Sequence, residues 1–275
     1  MSGVATGTTS QTDDQEFGRA GALQTVVRKI IGPIFRAGFK LDVNGIEHLP
    51  TSGPAIIAAN HTSVLDSFIV PAVLPRRVTY VGKAEYLDDW KTKHLFPALG
   101  MIPIDRSGGD AAKAALDLAA RVLDDGEFFA IYPEGTRSRT GVLYKGRTGV
   151  ARLSHRTGAP IIPVGLKGMR EIQPPDAPFP RFFKPATISF GEPLHPDDYG
   201  DPDDDPLIYR TMTDSLMFAI RHLSGQKYEN RYAPSAAELA EQQIDVRPDP
   251  VVEAPLAERR TATALLAGAG AGGGG

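Results

Sequence analysis

The sequence predicts an α/β fold with a central mixed, largely parallel sheet flanked by helices. Short apolar runs, typical of buried strands, alternate through the middle of the chain with longer segments of helical periodicity. Hydrophobic residues make up 41% of the chain and charged residues 23%, which is ordinary for a folded globular protein. Polar and charged residues follow several of the apolar runs directly, and in such sheets ligands bind at the carboxyl ends of strands.

The strands are predicted from apolar runs bounded by turn residues. They are Pro54–Ala59, Val78–Val81, Ile102–Ile104, Phe128–Ile131, Ile161–Leu166 and Ala186–Phe190. The helices are predicted at Asp110–Leu123, Thr148–Thr157 and Leu207–Leu223. This alternation favours parallel pairing, because a crossover helix joins strands that run in the same direction.

Composition divides the chain into four zones. Residues 1–16 are polar and predict a disordered lead, residues 17–40 an amphipathic helical segment, and residues 41–231 the folded domain. Residues 232–275 are rich in Ala, Pro, Glu and Gly. This tail is predicted to be disordered, because it can bury too little apolar surface to offset the entropy of ordering it.

The amphipathic segment presents two distinct faces. The apolar face is formed by Leu23, Val26, Val27, Ile30, Ile31 and Ile34, and the basic face by Arg28, Lys29, Arg36 and Lys40. Such a helix either lies in the headgroup layer of an anionic membrane or packs on the domain with its charged face in water. We favour the membrane, because every charge from Leu23 to Lys40 is positive. Neither a secretory signal nor an apolar run of the ~18–20 residues needed to span a bilayer is evident, so we expect a peripheral protein on the cytoplasmic face of the cell membrane.

Several function classes are disfavoured by composition and motifs. The net charge of -3 argues against a general nucleic-acid-binding protein. The absence of cysteine removes disulfides, thiolate metal sites and a cysteine nucleophile. Residues 141–148 resemble a phosphate-binding P-loop, but Arg147 replaces the lysine and no strand directly precedes them. We find no metal-binding motif and expect neither a metal nor a cofactor.

A histidine and an aspartate follow the first predicted strand. The strand Pro54–Ala59 runs into Asn60 and His61, which places an imidazole at the rim of the sheet. Ser63 is a favourable helix N-cap, so Asp66 would lie in the first turn and could return its carboxylate to His61 Nδ1. That contact would fix the tautomer and make Nε2 a general base. Taken alone, the pair is better explained by a structural histidine beside a capped helix.

The attacking hydroxyl is expected to come from a substrate. The chain contains no G-x-S-x-G nucleophile elbow, and Ser63 is assigned to the helix cap. A base without a protein nucleophile activates a hydroxyl that the substrate brings.

Basic residues follow three other predicted strands. The strand Phe128–Ile131 leads into a turn in which Gly135 permits close backbone approach and Arg137 offers a guanidinium suited to phosphate. In the same turn, Glu134 would hold an arginine in place or bond a substrate hydroxyl. Arg106 and Lys83 follow two further strands. Solvated surface charge is the alternative, but three cationic strand ends beside the histidine favour a phosphate site.

Four sequence blocks resemble the glycerophosphate acyltransferase superfamily, most closely the bacterial 1-acyl-sn-glycerol-3-phosphate acyltransferases. In order, the blocks are Asn60–Asp66, Gly100–Ser107, Tyr132–Ser138 and Ala159–Val164. Lys83 also stands where the family often has a lysine, whereas Tyr132 replaces its usual phenylalanine. The resemblance covers roughly residues 54–168.

The resemblance implies specific roles for residues of these blocks. His61 and Asp66 would be catalytic. The residues that bind the phosphate or glycerol of the acceptor would be Lys83, Arg106, Glu134, Gly135, Thr136 and Arg137.

The resemblance also implies an activity. A fatty acyl group would pass from acyl-CoA or acyl carrier protein to the free hydroxyl of 1-acyl-sn-glycerol 3-phosphate (lysophosphatidate), giving phosphatidate for phospholipid biosynthesis. Glycerol 3-phosphate, another lysophospholipid or a glycolipid remain alternative acceptors. A thioester hydrolase and a non-catalytic lipid-binding protein are alternatives of different classes.

Overall fold

The computed structural model describes residues 29–83, 100–104, 111–234 and 238, except residues 31, 34, 176, 178, 202, 204 and 206. The predicted lead at residues 1–16, most of the amphipathic segment and nearly all of the predicted tail lie outside the described residues.

A seven-stranded mixed sheet organises the described part of the chain. The strands are β1 (Leu41–Asn44), β2 (Ala55–Ala59), β3 (Val78–Lys83), β4 (Met101–Ile104), β5 (Phe128–Ile131), β6 (Leu143–Tyr144), β7 (Ile161–Lys167), β8 (Ala186–Phe190) and β9 (Tyr228–Glu229). The order in the main sheet is β1-β8-β7-β2-β5-β3-β4, and β6 pairs separately with β9. Within the main sheet only the β7–β8 pairing is antiparallel. The prediction of a mixed, largely parallel sheet is therefore confirmed.

Helices cover both faces of the sheet. They are α1 (Asp66–Val73), α2 (Ala111–Asp124), α3 (Gly149–Thr157), α4 (Met169–Ile172) and α5 (Ile208–Ser224), with short 3-10 helices at Ile46–His48 and Pro196–Tyr199. Successive residues of β2 face opposite sides, so Ile57 joins a core beneath α1 and α4, whereas Ile56 joins the core beneath α2, α3 and α5. Both isoleucines are fully buried, which explains the unbroken apolar run of this central strand.

Every predicted bound lies within two residues of the observed one. Strands β5 and β8 match their predictions, and α5 is shifted by one residue at each end. Strand β1 is missing from the prediction, because its pattern is half-exposed and Asp42 and Asn44 are weak strand formers. The pairing of β6 with β9 was also not anticipated, since each strand has only two residues.

The described residues between 29 and 39 are helical, and we call them the N-terminal helix. It packs close to α1, where a Cβ added at Gly32 would lie 2.8 Å from the Ala72 carbonyl oxygen. Phe39 is buried and Phe35 packs against the same core, while Ile30 of the predicted apolar face remains 59% exposed. Within the described residues, no helix combines the length and apolar character needed to cross a membrane.

Candidate active site

Parallel pairing brings the carboxyl ends of β2, β5 and β3 to one edge of the sheet. Asn60 follows β2 at this edge and is fully buried. Its side-chain amide donates to the Leu166 carbonyl at 2.9 Å, and its oxygen accepts the Leu166 N–H at 2.7 Å. A further bond from its amide reaches Gln226 Oε1 at 2.8 Å. These bonds fasten the end of β2 to β7 and fix the backbone from which His61 projects.

His61 and Asp66 are in direct contact. His61 Nδ1 lies 3.0 Å from Asp66 Oδ2, and the two side chains are 14% and 0% exposed. The same oxygen accepts the backbone N–H groups of Thr62 at 2.7 Å and Ser63 at 2.9 Å. Because three donors converge on one carboxylate oxygen, Nδ1 carries the ring proton and Nε2 is the nitrogen with a lone pair.

The helix cap predicted at Ser63 is wrong. Helix α1 begins at Asp66 with Leu65 as its N-cap, and no side chain caps that position. The Asp66 carboxylate accepts the N–H groups of Thr62 and Ser63, and the Ser63 hydroxyl bonds within the turn that precedes the helix. Ser63 Oγ accepts the Leu65 N–H at 3.1 Å and donates to Gln173 Oε1 at 3.2 Å.

Tyr132 stacks on the catalytic candidate. Its ring lies parallel to the His61 imidazole, with centroids 3.8 Å apart and planes inclined by 10°. Its hydroxyl is 3.3 Å from Ser67 Oγ. Burial and the neighbouring Asp66 charge raise the pKa of Tyr132 well above its usual value, so the phenol stays neutral. The stacked ring restricts the orientation of the imidazole.

The turn after β5 holds the His61 peptide from both sides. Glu134 Oε1 accepts the His61 N–H at 3.1 Å, and the Ser138 N–H donates to the His61 carbonyl at 2.7 Å. The second Glu134 oxygen accepts the Tyr144 N–H at 3.0 Å. We call this arrangement the Glu134–Ser138 clamp.

The position of Glu134 corrects its expected contacts. We expected it to hold an arginine or bond a substrate hydroxyl, but it is 1% exposed and its two oxygens accept backbone N–H groups. Burial raises the pKa of its carboxyl to about 7, although the two N–H groups act in the opposite direction. Glu134 therefore stabilises the backbone around His61 from a buried position.

A cavity of about 500 Å³ opens beside the same turn. Gly135 and Thr136, both predicted to bind phosphate or glycerol, line it together with Arg147 and Arg231. Gly135 has a φ of +78°, and a Cβ there would lie 3.0 Å from Arg147 Nε. A glycine is thus required both by the backbone conformation and by the arginine packed against it.

Charge at the cavity is partly compensated. Arg231 Nε bonds Glu229 Oε2 at 2.7 Å, and Glu238 also lines the cavity. Arg147 lies with its Cζ 5.2 Å from the Tyr232 ring centroid. Arg137 does not line this cavity; it is half-buried in the same turn and has no ion-pair partner within the described residues. Arg137 and Arg147 are thus the arginines of this region that an anionic ligand would best neutralise.

The remaining predicted cations are placed only in part. Lys83 is the last residue of β3, at the same edge as His61. Arg106 lies outside the described residues.

The sequence interpretation missed Asn60 as an anchor, Ser138 as the clamp's donor and Arg147 as part of the cavity wall. Asn60 could have been predicted from its position at the end of the strand before His61. Ser138 and Arg147 could not, because their roles depend on contacts between residues distant in sequence.

The matched family model covers the catalytic pair and the turn after β5. Residues 40–167 match the model described as Acyltransferase. This segment runs from the residue before β1 to the last residue of β7 and therefore contains His61, Asp66 and the turn after β5.

Similar proteins occur in bacteria and mammals. An uncharacterized protein of Mycobacterium tuberculosis is 27% identical over 237 residues, which span 71% of this chain and 64% of that protein. Human 1-acyl-sn-glycerol-3-phosphate acyltransferase alpha is 30% identical over 135 residues, covering 49% of this chain and 48% of the human protein. The chain thus aligns with about two thirds and one half of these relatives' lengths.

A crystal structure shares the fold. The 1-acyl-sn-glycerophosphate acyltransferase of Thermotoga maritima superposes with a TM-score of 0.56 at 19% sequence identity. The superposition covers 78% of this chain and 84% of the Thermotoga chain.

Proposed function

Since residues 40–167 match the Acyltransferase family model, we propose that the chain transfers a fatty acyl group from a thioester to the hydroxyl of a glycerophosphate lipid. The observation that carries this proposal is the His61–Asp66 contact at a strand end, with Nδ1 engaged by the carboxylate at 3.0 Å. This arrangement suits a general base whose nucleophile is a substrate hydroxyl.

In the proposed reaction, His61 Nε2 takes the proton of the acceptor hydroxyl as that oxygen attacks the thioester carbonyl. Asp66 stabilises the imidazolium through Oδ2, and Tyr132 stacks against it. The tetrahedral intermediate then collapses, the C–S bond breaks, and the departing sulfur receives the proton from Nε2. The products are one ester and one thiol, and no acyl-enzyme forms.

The proposed acceptor is 1-acyl-sn-glycerol 3-phosphate, and its product is phosphatidate. The named human and Thermotoga relatives act on this class of lipid by their descriptions. Arg137 is the principal phosphate ligand in this proposal, and Gly135 and Thr136 contribute from the cavity wall. A phosphate held there would position the hydroxyl near His61 and reduce the entropic part of the barrier. Lys83 and Arg106 are assigned to the same phosphate.

Arg147 is a further candidate for this phosphate site. It lines the cavity and packs against Gly135, whose missing side chain leaves the guanidinium close to the turn. A planar guanidinium there could bind phosphate oxygens in a bidentate manner.

The proposed location is the cytoplasmic face of a membrane, with the N-terminal helix at its surface. Lys29, Arg36 and Lys40 are exposed on this helix, as is Ile30. Exposed apolar and basic groups on one helix suit the headgroup layer of an anionic bilayer. The acyl donor is acyl-CoA or acyl carrier protein, with no further cofactor.

Product analysis tests the activity. The purified chain would be incubated with labelled acyl-CoA, or with acyl carrier protein, and either lysophosphatidate or glycerol 3-phosphate. We expect labelled phosphatidate from lysophosphatidate, and no product from His61→Ala, which should remain folded by circular dichroism. Labelled lysophosphatidate from glycerol 3-phosphate would instead identify the smaller acceptor. Free fatty acid formed without any acceptor, or full turnover by His61→Ala, would refute the proposal.

Acceptor kinetics test the phosphate ligands. Arg137→Ala should raise the KM for lysophosphatidate by about tenfold to a hundredfold, since a charge-assisted hydrogen bond contributes ~1.5–3 kcal/mol. Arg121→Ala, which removes an exposed arginine from α2, is the control. An unchanged acceptor KM in Arg137→Ala would remove this residue from the phosphate site.

A further inference from the structure

The loop between α4 and β8 exposes three phenylalanines. We call residues 173–185 the aromatic loop. Phe179, Phe182 and Phe183 are 77%, 60% and 69% exposed, although they lie within five residues of one another. Scattered apolar residues are normal on protein surfaces, but an exposed cluster of large aromatics marks an interaction surface.

The loop and the N-terminal helix form one continuous surface. Phe182 stacks on Phe39, with ring centroids 5.2 Å apart and planes inclined by 9°. The Phe183 N–H donates to the Gly38 carbonyl at 2.7 Å. The helix thereby fixes the position of the loop.

The loop holds Phe183 outward in an unfavourable backbone conformation. Its φ of +62° lies in the left-handed region, which a bulky side chain rarely adopts. The bond to Gly38 and the bond from the Arg181 N–H to the Ile172 carbonyl, also 2.7 Å, secure the backbone on either side. Strain that the surrounding contacts maintain in this way is common at sites that serve binding.

The charges around these aromatics are predominantly positive. Residues 29–40 and 173–185 contain Lys29, Arg36, Lys40, Arg181 and Lys184, against Asp176 as the one acidic residue. All five cations are exposed. Aromatic rings interleaved with basic side chains match the interface of an anionic bilayer, where rings sit at the headgroup level and cations contact lipid phosphates.

We infer that the aromatic loop inserts into the surface of an anionic lipid bilayer and, with the N-terminal helix, forms a two-part membrane anchor. Phe179 and Phe183 enter the boundary between headgroups and acyl chains, while Arg181 and Lys184 bind the headgroup phosphates. Phe182 connects the loop to the helix through Phe39.

The anchor also adjoins the candidate active site. Gln173, the first residue of the aromatic loop, accepts the Ser63 hydroxyl at 3.2 Å and donates to the Ala177 carbonyl at 3.2 Å. Ser63 lies two residues from His61 and binds Asp66 Oδ2 through its N–H. The loop would therefore hold the membrane next to the catalytic pair, so that a lipid acceptor can enter the site from the membrane. This last step rests on the proposed function, whereas the membrane anchor does not.

Vesicle binding of the full chain tests the anchor. The double variant Phe179→Ser/Phe183→Gly removes two exposed rings, and glycine also relieves the left-handed backbone, so folding should not suffer. In cosedimentation with phosphatidylglycerol–phosphatidylcholine vesicles, we expect its partition coefficient to fall by about tenfold or more. Phe218→Ser is the matched control, because Phe218 is a 64% exposed phenylalanine on α5, which covers the other face of the sheet.

The charges are tested by a second double variant. Arg181→Gln/Lys184→Gln should weaken binding to the anionic vesicles by about fivefold for each charge removed, with little effect on pure phosphatidylcholine vesicles. Wild-type binding by both double variants would overturn the inference.

Direct insertion is measured with a single label. The chain has no cysteine, so Phe179→Cys and Phe218→Cys each provide one thiol for an environment-sensitive dye. Vesicles should shift the emission of the dye at position 179 to the blue and leave that at position 218 unchanged. The absence of any shift at position 179 would also overturn the inference. If the wild type binds vesicles through this loop but transfers no acyl group, the anchor stands and the proposed function fails.

Discussion

Replacing Glu134 by glutamine should change how the stability of the protein depends on pH. The carboxylate accepts two backbone N–H groups, one on each oxygen: His61 at 3.1 Å and Tyr144 at 3.0 Å. Glutamine offers one oxygen and one amide group, so one of the two N–H groups would face another donor. In this buried position an unsatisfied donor costs ~1–3 kcal/mol of folding free energy at any pH.

Ionisation of Glu134 destabilises the folded protein, whereas its two hydrogen bonds stabilise it. Burial raises the pKa of its carboxyl from 4.5 to about 7, so between these values the folded protein retains a proton that the unfolded chain releases. The free energy of unfolding therefore falls as the pH rises through this window. Each pH unit corresponds to about 1.4 kcal/mol, which gives a loss of about 3 kcal/mol across the window. Glutamine does not titrate, so the variant lacks this loss.

Urea denaturation of both proteins at pH 5 and pH 8 measures the difference. We expect wild type to be the more stable at pH 5, and its advantage to shrink or reverse by about 3 kcal/mol at pH 8. Glu47→Gln, at an exposed glutamate, should show no such change. A gap between wild type and Glu134→Gln that stays constant with pH would refute the reasoning.

Three further substitutions examine the site. Asp66→Asn keeps an oxygen for the backbone amides that hold it but removes the charge opposite the imidazolium, so kcat/KM should fall by about a hundredfold or more in the acyl-transfer assay. Gly135→Ala should lower the free energy of unfolding in urea by about 1–2 kcal/mol, because a φ of +78° disfavours alanine and its Cβ would crowd Arg147. Tyr132→Leu removes the ring stacked on His61, so kcat should fall up to about tenfold at an unchanged acceptor KM, consistent with ~0.5–1.5 kcal/mol for a ring pair. Wild-type kinetics in Asp66→Asn or Tyr132→Leu, or wild-type stability in Gly135→Ala, would contradict the corresponding contact.

The sheet was largely predictable because its central strands are buried on both faces. Strands β2 and β7 appear as continuous apolar runs, and such runs are distinctive in a sequence. Strand β1 was not predicted, because its alternating Leu41–Asn44 segment resembles an exposed loop. Local pattern thus indicates a strand most clearly where burial is complete.

The candidate site was likewise predictable only where its contacts join residues close together in sequence. The contact between His61 and Asp66 joins residues five positions apart, so local geometry made it foreseeable. The contact of Glu134 with His61 spans 73 residues, and its partner is a backbone N–H that exists at every non-proline position. Sequence therefore identified Glu134 as part of the site but not what it binds. Arg147 was missed as part of the site, because only folding brings it against Gly135.

The bonds that complete the site have consequences for the order of folding. Asn60 bonds Gln226 across 166 residues, and the Lys145 N–H donates to the Arg231 carbonyl at 2.9 Å. Contacts so distant in sequence close large loops and form slowly, and during synthesis the amino-terminal half emerges first. The surroundings of His61, at the end of β2, would thus be completed only after residues near 226–231 have docked. Assembly of the catalytic rim would then be a late event, following collapse of the sheet by an interval that time-resolved refolding could resolve.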